Sequence, residues 1–487
     1  MPKEIDNNTL RNNVIKNLFW KLMERSGVQG IQFVIQIVLA RILSPNDYGI
    51  ISLITIFIAL ANVFIQSGFN TALIQKKNVK EEDFSSVFYL SIFVATILYI
   101  ILYLSSPFIA NFYKVKALTP VLRVLSITLF FGAFNSIQNA VISKKMEFRK
   151  LFISSILSVI ISGVVGIILA RMGYGVWSLV IQQIVNQITV TIILWFTVKW
   201  RPKLTFSIKR ISNLFSYGWK LLVSSLIDTL YMNLRGLVVG KVYTSNMLAF
   251  YNRGEQFPQL IVSNINGAIQ SVMLPTLSSE QDNKKRVKEL VRRSIVTSSF
   301  LVFPLMIGLA AVGEPLIKIL LTDKWLPSLP FMQIFCLTYA LWPIHTSNLQ
   351  AINALGRSDI FLKLEITKKI VGIIILIISM FYGVYAIALG GLLVGIMSSF
   401  INAYPNLKLL DYSYKEQIKD IMPSLILSII MGVIVYSILF FNMSPYITLT
   451  IQVFIGAIVY VVLAKLFRLE CYEYIIHTIK SIKNKNK

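Results

Sequence analysis

The chain has 487 residues, 55% of them hydrophobic and 14% charged, with a net charge of +25 and a mean hydropathy of +0.69. Soluble domains are about 45–50% apolar and about 25% charged, so this composition excludes an ordinary soluble protein and points to an integral membrane one. Two cysteines, Cys336 and Cys471, and two histidines, His345 and His477, stand far apart without ligand spacing, which excludes a disulfide framework or zinc site and leaves little for imidazole catalysis.

A membrane-crossing helix needs about 20 mostly apolar residues. Fourteen stretches qualify: 17–42, 49–74, 84–109, 118–142, 151–171, 175–198, 213–240, 248–274, 294–313, 329–354, 360–381, 384–407, 421–441 and 446–466. The fold class is therefore all-α, a polytopic membrane protein of about 14 transmembrane helices. The first apolar run is too long for a cleavable leader and lacks a small-residue cleavage site, so it is expected to stay as a helix. Of the 47 Lys and Arg, 32 fall in the termini and one alternate set of loops, and 7 in the other set. The positive-inside rule then places both termini in the cytoplasm. It also accounts for the basic excess without a nucleic-acid partner. The largest loop, 276–293, is expected to form a surface amphipathic helix or a plain solvated charge run.

The first stretch carries Lys21, Arg25, Gln29, Gln32 and Gln36 at intervals of four, four, three and four, with Glu24 one turn from Lys21. On a helix these share one face. Such a face cannot lie against lipid, where a central Arg or Lys costs about 2.5–3.5 kcal/mol on insertion scales. About 200 residues later Lys220, Ser224, Asp228, Tyr231 and Arg235 repeat the stripe, and Trp20-Lys21-Leu22 matches Trp219-Lys220-Leu221. Tyr174-Gly175-Val176-Trp177 resembles Tyr382-Gly383-Val384-Tyr385, and Ser136-Ile137-Gln138 resembles Asn348-Leu349-Gln350. These offsets describe two six-helix lobes, 1–205 and 206–420, followed by two further helices and a tail, 421–487. An offset of six helices keeps both copies in the same orientation, the parallel kind of repeat.

Basic residues at membrane depth are Lys21, Arg25, Arg123, Lys220, Arg235, Arg253, Lys368 and Lys369, against the acids Glu24, Asp228, Glu255 and Glu365. This surplus suits an anionic, phosphate-bearing ligand, since Arg offers phosphate a bidentate fork and Lys a mobile charge. Lys21, Lys368 and Lys369 can alternatively snorkel to a helix end. Arg253 and Glu255 can alternatively lie in an outer loop, and Asp228 can be a structural partner rather than a proton or sodium site. Asn62, Gln66 and Asn70 line one side of the second stretch; Gln259, Asn266 and Gln270 lie along the eighth. These amides can bind sugar hydroxyls or hold helices together. The candidate ligand-binding set is Lys21, Arg25, Gln29, Gln32, Gln36, Asn62, Gln66, Arg123, Lys220, Arg235, Asn266 and Gln270. The candidate ion-coupling set is Asp228, Glu24 and Glu255. No Walker A sequence occurs, and the short outer loops hold few acids, so no enzyme is expected.

The text Leu39-Ala40-Arg41-Ile42-Leu43-Ser44-Pro45-Asn46-Asp47-Tyr48-Gly49 follows the first stripe. Later come Tyr217-Gly218-Trp219-Lys220, Leu248-Ala249-Phe250-Tyr251-Asn252-Arg253 and Met273-Leu274-Pro275-Thr276-Leu277-Ser278. With these motifs the chain is similar, over nearly its whole length, to the bacterial polysaccharide exporters, or lipid-linked oligosaccharide (O-antigen-type) flippases. That family lies within the multidrug/oligosaccharidyl-lipid/polysaccharide exporter superfamily. The resemblance implies translocation of an undecaprenyl-pyrophosphate-linked repeat unit across the cytoplasmic (inner) membrane, for lipopolysaccharide or another surface polysaccharide. It implies alternating access, no resident cofactor, and H+ or Na+ as the coupling ion. The implied partners are the lipid-linked glycan, membrane lipids, and the polymerase and glycosyltransferases of the same pathway. Two alternatives stay open: a cation-coupled multidrug extruder of the same superfamily, and a membrane polymerase or ligase.

Overall fold

The computed structural model describes residues 20, 23, 27–66, 68–76 and 78–474. Among these the regular structure is all helical, with no strand. In lipid the backbone must satisfy its own hydrogen bonds, and a helix does this within one segment. Clustering divides the chain into two compact units, Met1–Ala249 and Phe250–Lys487.

The first unit contains α1 (Val28–Ile42), α2 (Pro45–Gln66), α3 (Phe69–Gln75), α4 (Glu81–Tyr113), α5 (Leu118–Leu125), α6 (Thr128–Lys145), α7 (Phe148–Arg171), α8 (Val176–Thr197) and α9 (Ile208–Val242). The next helix, α10 (Ser245–Ser279), starts there and belongs to the second unit from Phe250. The second unit continues with α11 (Lys284–Ala311), α12 (Gly313–Leu320), α13 (Leu329–Ala340), α14 (Trp342–Ala354), α15 (Ser358–Ser379), α16 (Val384–Leu410), α17 (Tyr414–Ser437) and α18 (Pro445–Leu466). Eleven of the described helical segments are long and apolar enough to cross a membrane. The other three expected stretches appear as α1, as the broken pair α13–α14, and as α15 with Lys363, Glu365, Lys368 and Lys369 in its first half.

Three expected spans are not continuous helices. The stretch 49–74 breaks at Gly68, which adopts φ +86°. The stretch 118–142 breaks between α5 and α6, where the Ser126 and Thr128 hydroxyls donate to the Leu122 and Leu125 carbonyls, both at 2.6 Å. The Leu122 carbonyl also accepts the Ser126 amide at 2.9 Å, so both hydroxyls are folded back onto the last turn of α5. The stretch 329–354 breaks at Leu341, ahead of Pro343, whose missing N–H suits the first turn of a new helix. The amphipathic helix expected over 276–293 is not a separate element. Residues 276–279 finish α10, and α11 starts at Lys284, capped by the Asn283 side chain accepting from the Arg286 amide at 3.1 Å. That cap starts the helix well before the apolar stretch, so one helix runs through both.

The repeat is visible in each unit taken alone. Gly175 and Gly383 both adopt positive φ, at +54° and +113°, immediately before α8 and α16. The broken pair α5–α6 has its counterpart in α13–α14. Both α2 and α10 start two or three residues after the preceding helix.

In the first unit α7 and α8 form a hairpin, α1 lies on α7, and α9 lies on α2. A core joins Phe69, Leu73, Phe88, Ile137, Leu194, Val198 and Leu214. The unit reaches past residue 205, the expected lobe boundary, because α9 and the first residue of α10 each make a close backbone contact with an earlier part of the unit. A Cβ on Gly68 would lie 2.5 Å from the Gly218 carbonyl oxygen, and one on Gly49 would lie 1.9 Å from that of Ser245. In the second unit α17 and α18, the pair expected outside the lobes, share a core with α11 built from Ala311, Leu427, Met431, Val435 and Tyr460. The Tyr460 hydroxyl donates to the Phe300 carbonyl at 2.8 Å.

Gly49→Val should destabilise the protein by about 1–3 kcal/mol, the usual cost of overpacking. A clearly lower melting temperature in detergent is expected, whereas Gly30→Ala, which meets nothing within 4 Å, should melt as the wild type does.

Candidate functional site

Lys21, Glu24 and Arg25 lie outside the described residues. The rest of that stripe is on α1, with Gln29 and Gln36 half-buried and Gln32 exposed. Val34 points the opposite way on the helix and is 59% exposed. An exposed valine opposite a row of amides is the arrangement of a helix with one lipid-facing side.

The second-helix amides lie on α6. The Asn62 oxygen sits 2.9 Å from where a Cβ on Gly132 would be, Gln66 donates to Asn62 at 3.5 Å, and Asn70 exchanges two hydrogen bonds with Ser136 at 2.7 and 2.9 Å. The seam continues on α8. Asn186 donates to Ser158 and Ser162 of α7 at 3.3 Å, and Asn135 donates to Gln187 at 3.4 Å. Asn70 thus holds helices together, while Gln66 keeps an exposed face. The α8 amides Gln182, Gln183, Asn186 and Gln187 went unremarked in the sequence, although their three- and four-residue spacing was available. Gln138 is fully buried, and neither of its amide atoms has a hydrogen-bond partner among the described residues. On α10, Asn266 is buried and its oxygen is likewise unpartnered among the described residues, while Gln270 is exposed.

The ionisable residues separate by their partners. Arg123 donates through Nε to the Ser106 hydroxyl at 2.9 Å and the Tyr103 carbonyl at 3.3 Å, and its guanidinium lies 4.2 Å from the Tyr103 ring centre. Those bonds fasten α5 to α4. Arg253 lies within α10, 6% exposed, stacked 5.0 Å from the Trp325 ring and donating to Gln256 at 2.6 Å. Glu255 accepts from the Tyr339 hydroxyl at 2.7 Å, and so joins α10 to α13. Both are helical rather than in an outer loop. Lys368 pairs with Glu365 at 2.5 Å.

Lys220 and Arg235 differ from these. Both are on α9, Lys220 exposed and Arg235 half-buried, and among the described residues neither is in an ion pair. Asp228 is exposed on the same face. From residue 219 to 238 no side chain of α9 is buried. The helix thus carries two cations outside any ion pair among the described residues, along a polar stripe that is exposed or half-buried.

Two buried polar clusters had no clear signal in the sequence. Fully buried Asn348 is the hub of a cluster joining α14, α16 and α17: it exchanges two hydrogen bonds with Gln417 at 2.8 and 3.1 Å and accepts one from Asn406 at 2.7 Å. Fully buried Asp83 opens α4 and gathers Lys76 and Arg210. Outside the spans, the neighbouring Glu81 carboxylate holds the Lys203 ammonium above its ordinary range. A cavity of about 470 Å³ in the second unit is lined by Lys288, Arg292, Tyr412, Asp420 and Glu470. Its charges are largely spent on one another, since Arg292 reaches Asp420 at 3.0 Å and Glu470 at 2.9 Å.

These features define a class: an all-α polytopic membrane protein with an internal repeat, amides along its spans, and cations at membrane depth that are in no ion pair among the described residues. A family described as "Polysaccharide biosynthesis protein" matches residues 38–330, and the chain belongs to it. The chain is 27% identical over 303 residues to the teichuronic acid biosynthesis protein TuaB of Bacillus subtilis, covering 62% of each chain. It is 22% identical to the succinoglycan biosynthesis transport protein ExoT of Rhizobium meliloti, over 67% of this chain and 66% of that one. Similarity to the lipopolysaccharide biosynthesis protein WzxC of Escherichia coli is 22% identity over 88% of this chain and 89% of that one. The matched stretch thus spans a little under two thirds of the Bacillus and Rhizobium proteins. Among solved structures, the lipid II flippase MurJ in its inward closed conformation superposes with a TM-score of 0.74 at 19% identity, covering 95% of this chain and all of that one. An inward-facing multidrug resistance MATE transporter of the MOP superfamily gives 0.59 at 14% identity, over 78% of this chain and 96% of that one. The fold is that of this superfamily.

If Asn70 and Ser136 act as a helix fastener, a double-mutant cycle with Asn70→Leu and Ser136→Ala should give a coupling of about 0.6 kcal/mol, with about 1.7 as the upper end for such bonds in membranes. Unfolding of the four variants in mixed micelles measures it, and additive effects would exclude the contact.

Proposed function

We propose that this protein is a flippase, not an enzyme. It moves an undecaprenyl-pyrophosphate-linked oligosaccharide repeat unit across the cytoplasmic membrane, for surface polysaccharide assembly. The observation that carries this reading is Lys220 and Arg235 on one face of α9, at membrane depth and outside any ion pair among the described residues. A cation in low dielectric is costly unless an anion meets it. A pyrophosphate head supplies that anion transiently, and Arg235 offers its oxygens a planar fork. Gln29, Gln32 and Gln36 on α1, with Gln66 on α2 and Gln270 on α10, supply amides for glycan hydroxyls. Lys21 and Arg25 extend the cationic set. The isoprenoid tail needs no polar passage and stays in lipid, so only the head is carried.

The reading includes alternating access between the two repeats, and both termini in the cytoplasm. H+ or Na+ is the coupling ion, with Asp228 as its carboxylate. Membrane lipids and the pathway's polymerase and glycosyltransferases are the neighbours it implies. A cation-coupled multidrug extruder of the same fold is the rival, and the surplus of cations argues against it because organic cations need an acidic chamber.

Arg235→Ala and Lys220→Ala should each lower surface glycan at least tenfold while membrane protein level stays normal, and Arg235→Lys should retain part of the activity. The measurement is glycan display in a deletion strain complemented by each variant, with drug resistance scored in parallel. Normal display from the double alanine variant would remove the assigned role; drug sensitivity without glycan loss would favour the rival. Asp228→Asn should make display insensitive to dissipating the proton or sodium gradient, and an unchanged response to ionophores would discard it as the coupling group.

A further inference from the structure

The two ends of α9 are fastened differently. At its far end Val239 is fully buried, Gly240 lies against Leu53, and Lys241 lies over the Phe112 ring at 3.7 Å. At its beginning an ionic contact at Arg210 precedes an apolar one, in which Leu214 joins the first unit's core and Gly218 packs on Gly68. Asp83, at 0% exposure, accepts from the Lys76 ammonium at 3.0 Å, the Lys80 backbone amide at 2.9 Å, and Arg210 Nη1 at 3.1 Å. Arg210 also reaches Glu82 at 2.6 Å. The preceding segment, residues 198–207, is strapped along the start of α4. The Lys203 amide donates to Ser85 at 3.0 Å, the Ser207 amide donates to Ser86 at 3.1 Å, and Lys203 pairs with Glu81. Between these mounts, from 219 to 238, its residues are half-buried or exposed and none is fully buried.

The Asp83 site differs from a permanent buried pair. Breaking a buried pair normally strands a charge, at about 3–5 kcal/mol. Here Lys76 and the Lys80 amide stay on Asp83 if Arg210 leaves. Arg210 is itself at the rim, its side chain 26% exposed, and it passes directly into water. Neither partner is orphaned by opening. The contact is therefore built to be undone.

We propose that Asp83 is a positioning residue, and that parting of Arg210 from Asp83 and Glu82 releases the first end of α9 during each transport cycle. The proposal rests on the transport reading above. Asp83 touches no substrate; it sets where the Lys220–Arg235 stripe is held.

The first test is a disulfide between Ser86→Cys and Ser207→Cys, in a chain whose buried Cys336 and Cys471 are changed to alanine. Oxidation should lower glycan display at least tenfold, and reduction should restore it. Full display from fully cross-linked protein would overturn the proposal. The second test needs no substrate: the labelling rate of Ser224→Cys by a maleimide in membrane vesicles. Arg210→Gln, which leaves Asp83 satisfied by Lys76, should change that rate at least threefold, and Asp83→Asn should do the same. An unchanged rate in Arg210→Gln would overturn the proposal even if Asp83→Asn failed to fold. A changed rate in a protein whose deletion leaves surface glycan intact would instead defeat the transport reading and leave the lock standing.

Discussion

The cost of an unmatched charge in a low-dielectric slab governs how this chain is built. Among the described residues, several ionisable side chains set among helices have a matching group beside them. Glu365 answers Lys368, Tyr339 answers Glu255, Trp325 answers Arg253, and a ring with two oxygens answers Arg123. Against that background Lys220 and Arg235 stand out, because among the described residues neither is in an ion pair and both lie on a stretch of α9 that is exposed or half-buried. The same physics that makes a matched pair structural makes an unmatched cation a place for an anion to stop.

Neutral polar groups follow a softer rule. Asn70 with Ser136, Asn186 with two serines of α7, and the Asn348–Asn406–Gln417 cluster tie helices together in a solvent that offers no competing partners. Each bond is worth little, since an unfolded helix in lipid also finds partners. Their value is register: an amide bonded on two sides fixes how one helix turns against the next. A row of amides in a span is therefore an ambiguous sign, and only members that keep some exposure, such as Gln66 and Gln32, remain available to a ligand.

Rigid and movable parts divide along similar lines. Contacts made of interdigitated apolar side chains, such as α11 with α17 and α18, have no intermediate state. Ionic contacts at the rim of a unit can exchange partners with water. Asp83 sits at that boundary, with enough donors of its own to survive the departure of Arg210.

Hydropathy and periodicity alone determined the membrane class, the repeat and the polar stripes. All three depend on local chemistry: apolar length sets a span, a three- or four-residue interval sets a face, and an offset sets a repeat. The glycines at 175 and 383 were legible for the same reason, since a backbone with φ near +54° or +113° selects glycine locally. Which polar residue meets which partner was decided only by tertiary structure. Lys220 and Arg123 look alike in the chain, one tied to nothing among the described residues and the other bound to α4. The breaks at residues 68, 126–127 and 341 were equally hidden, because an apolar run reads the same whether straight or broken. The enclosure of Asp83 has no mark in the chain: charge is written in the sequence, but its solvation belongs to the neighbours that folding supplies.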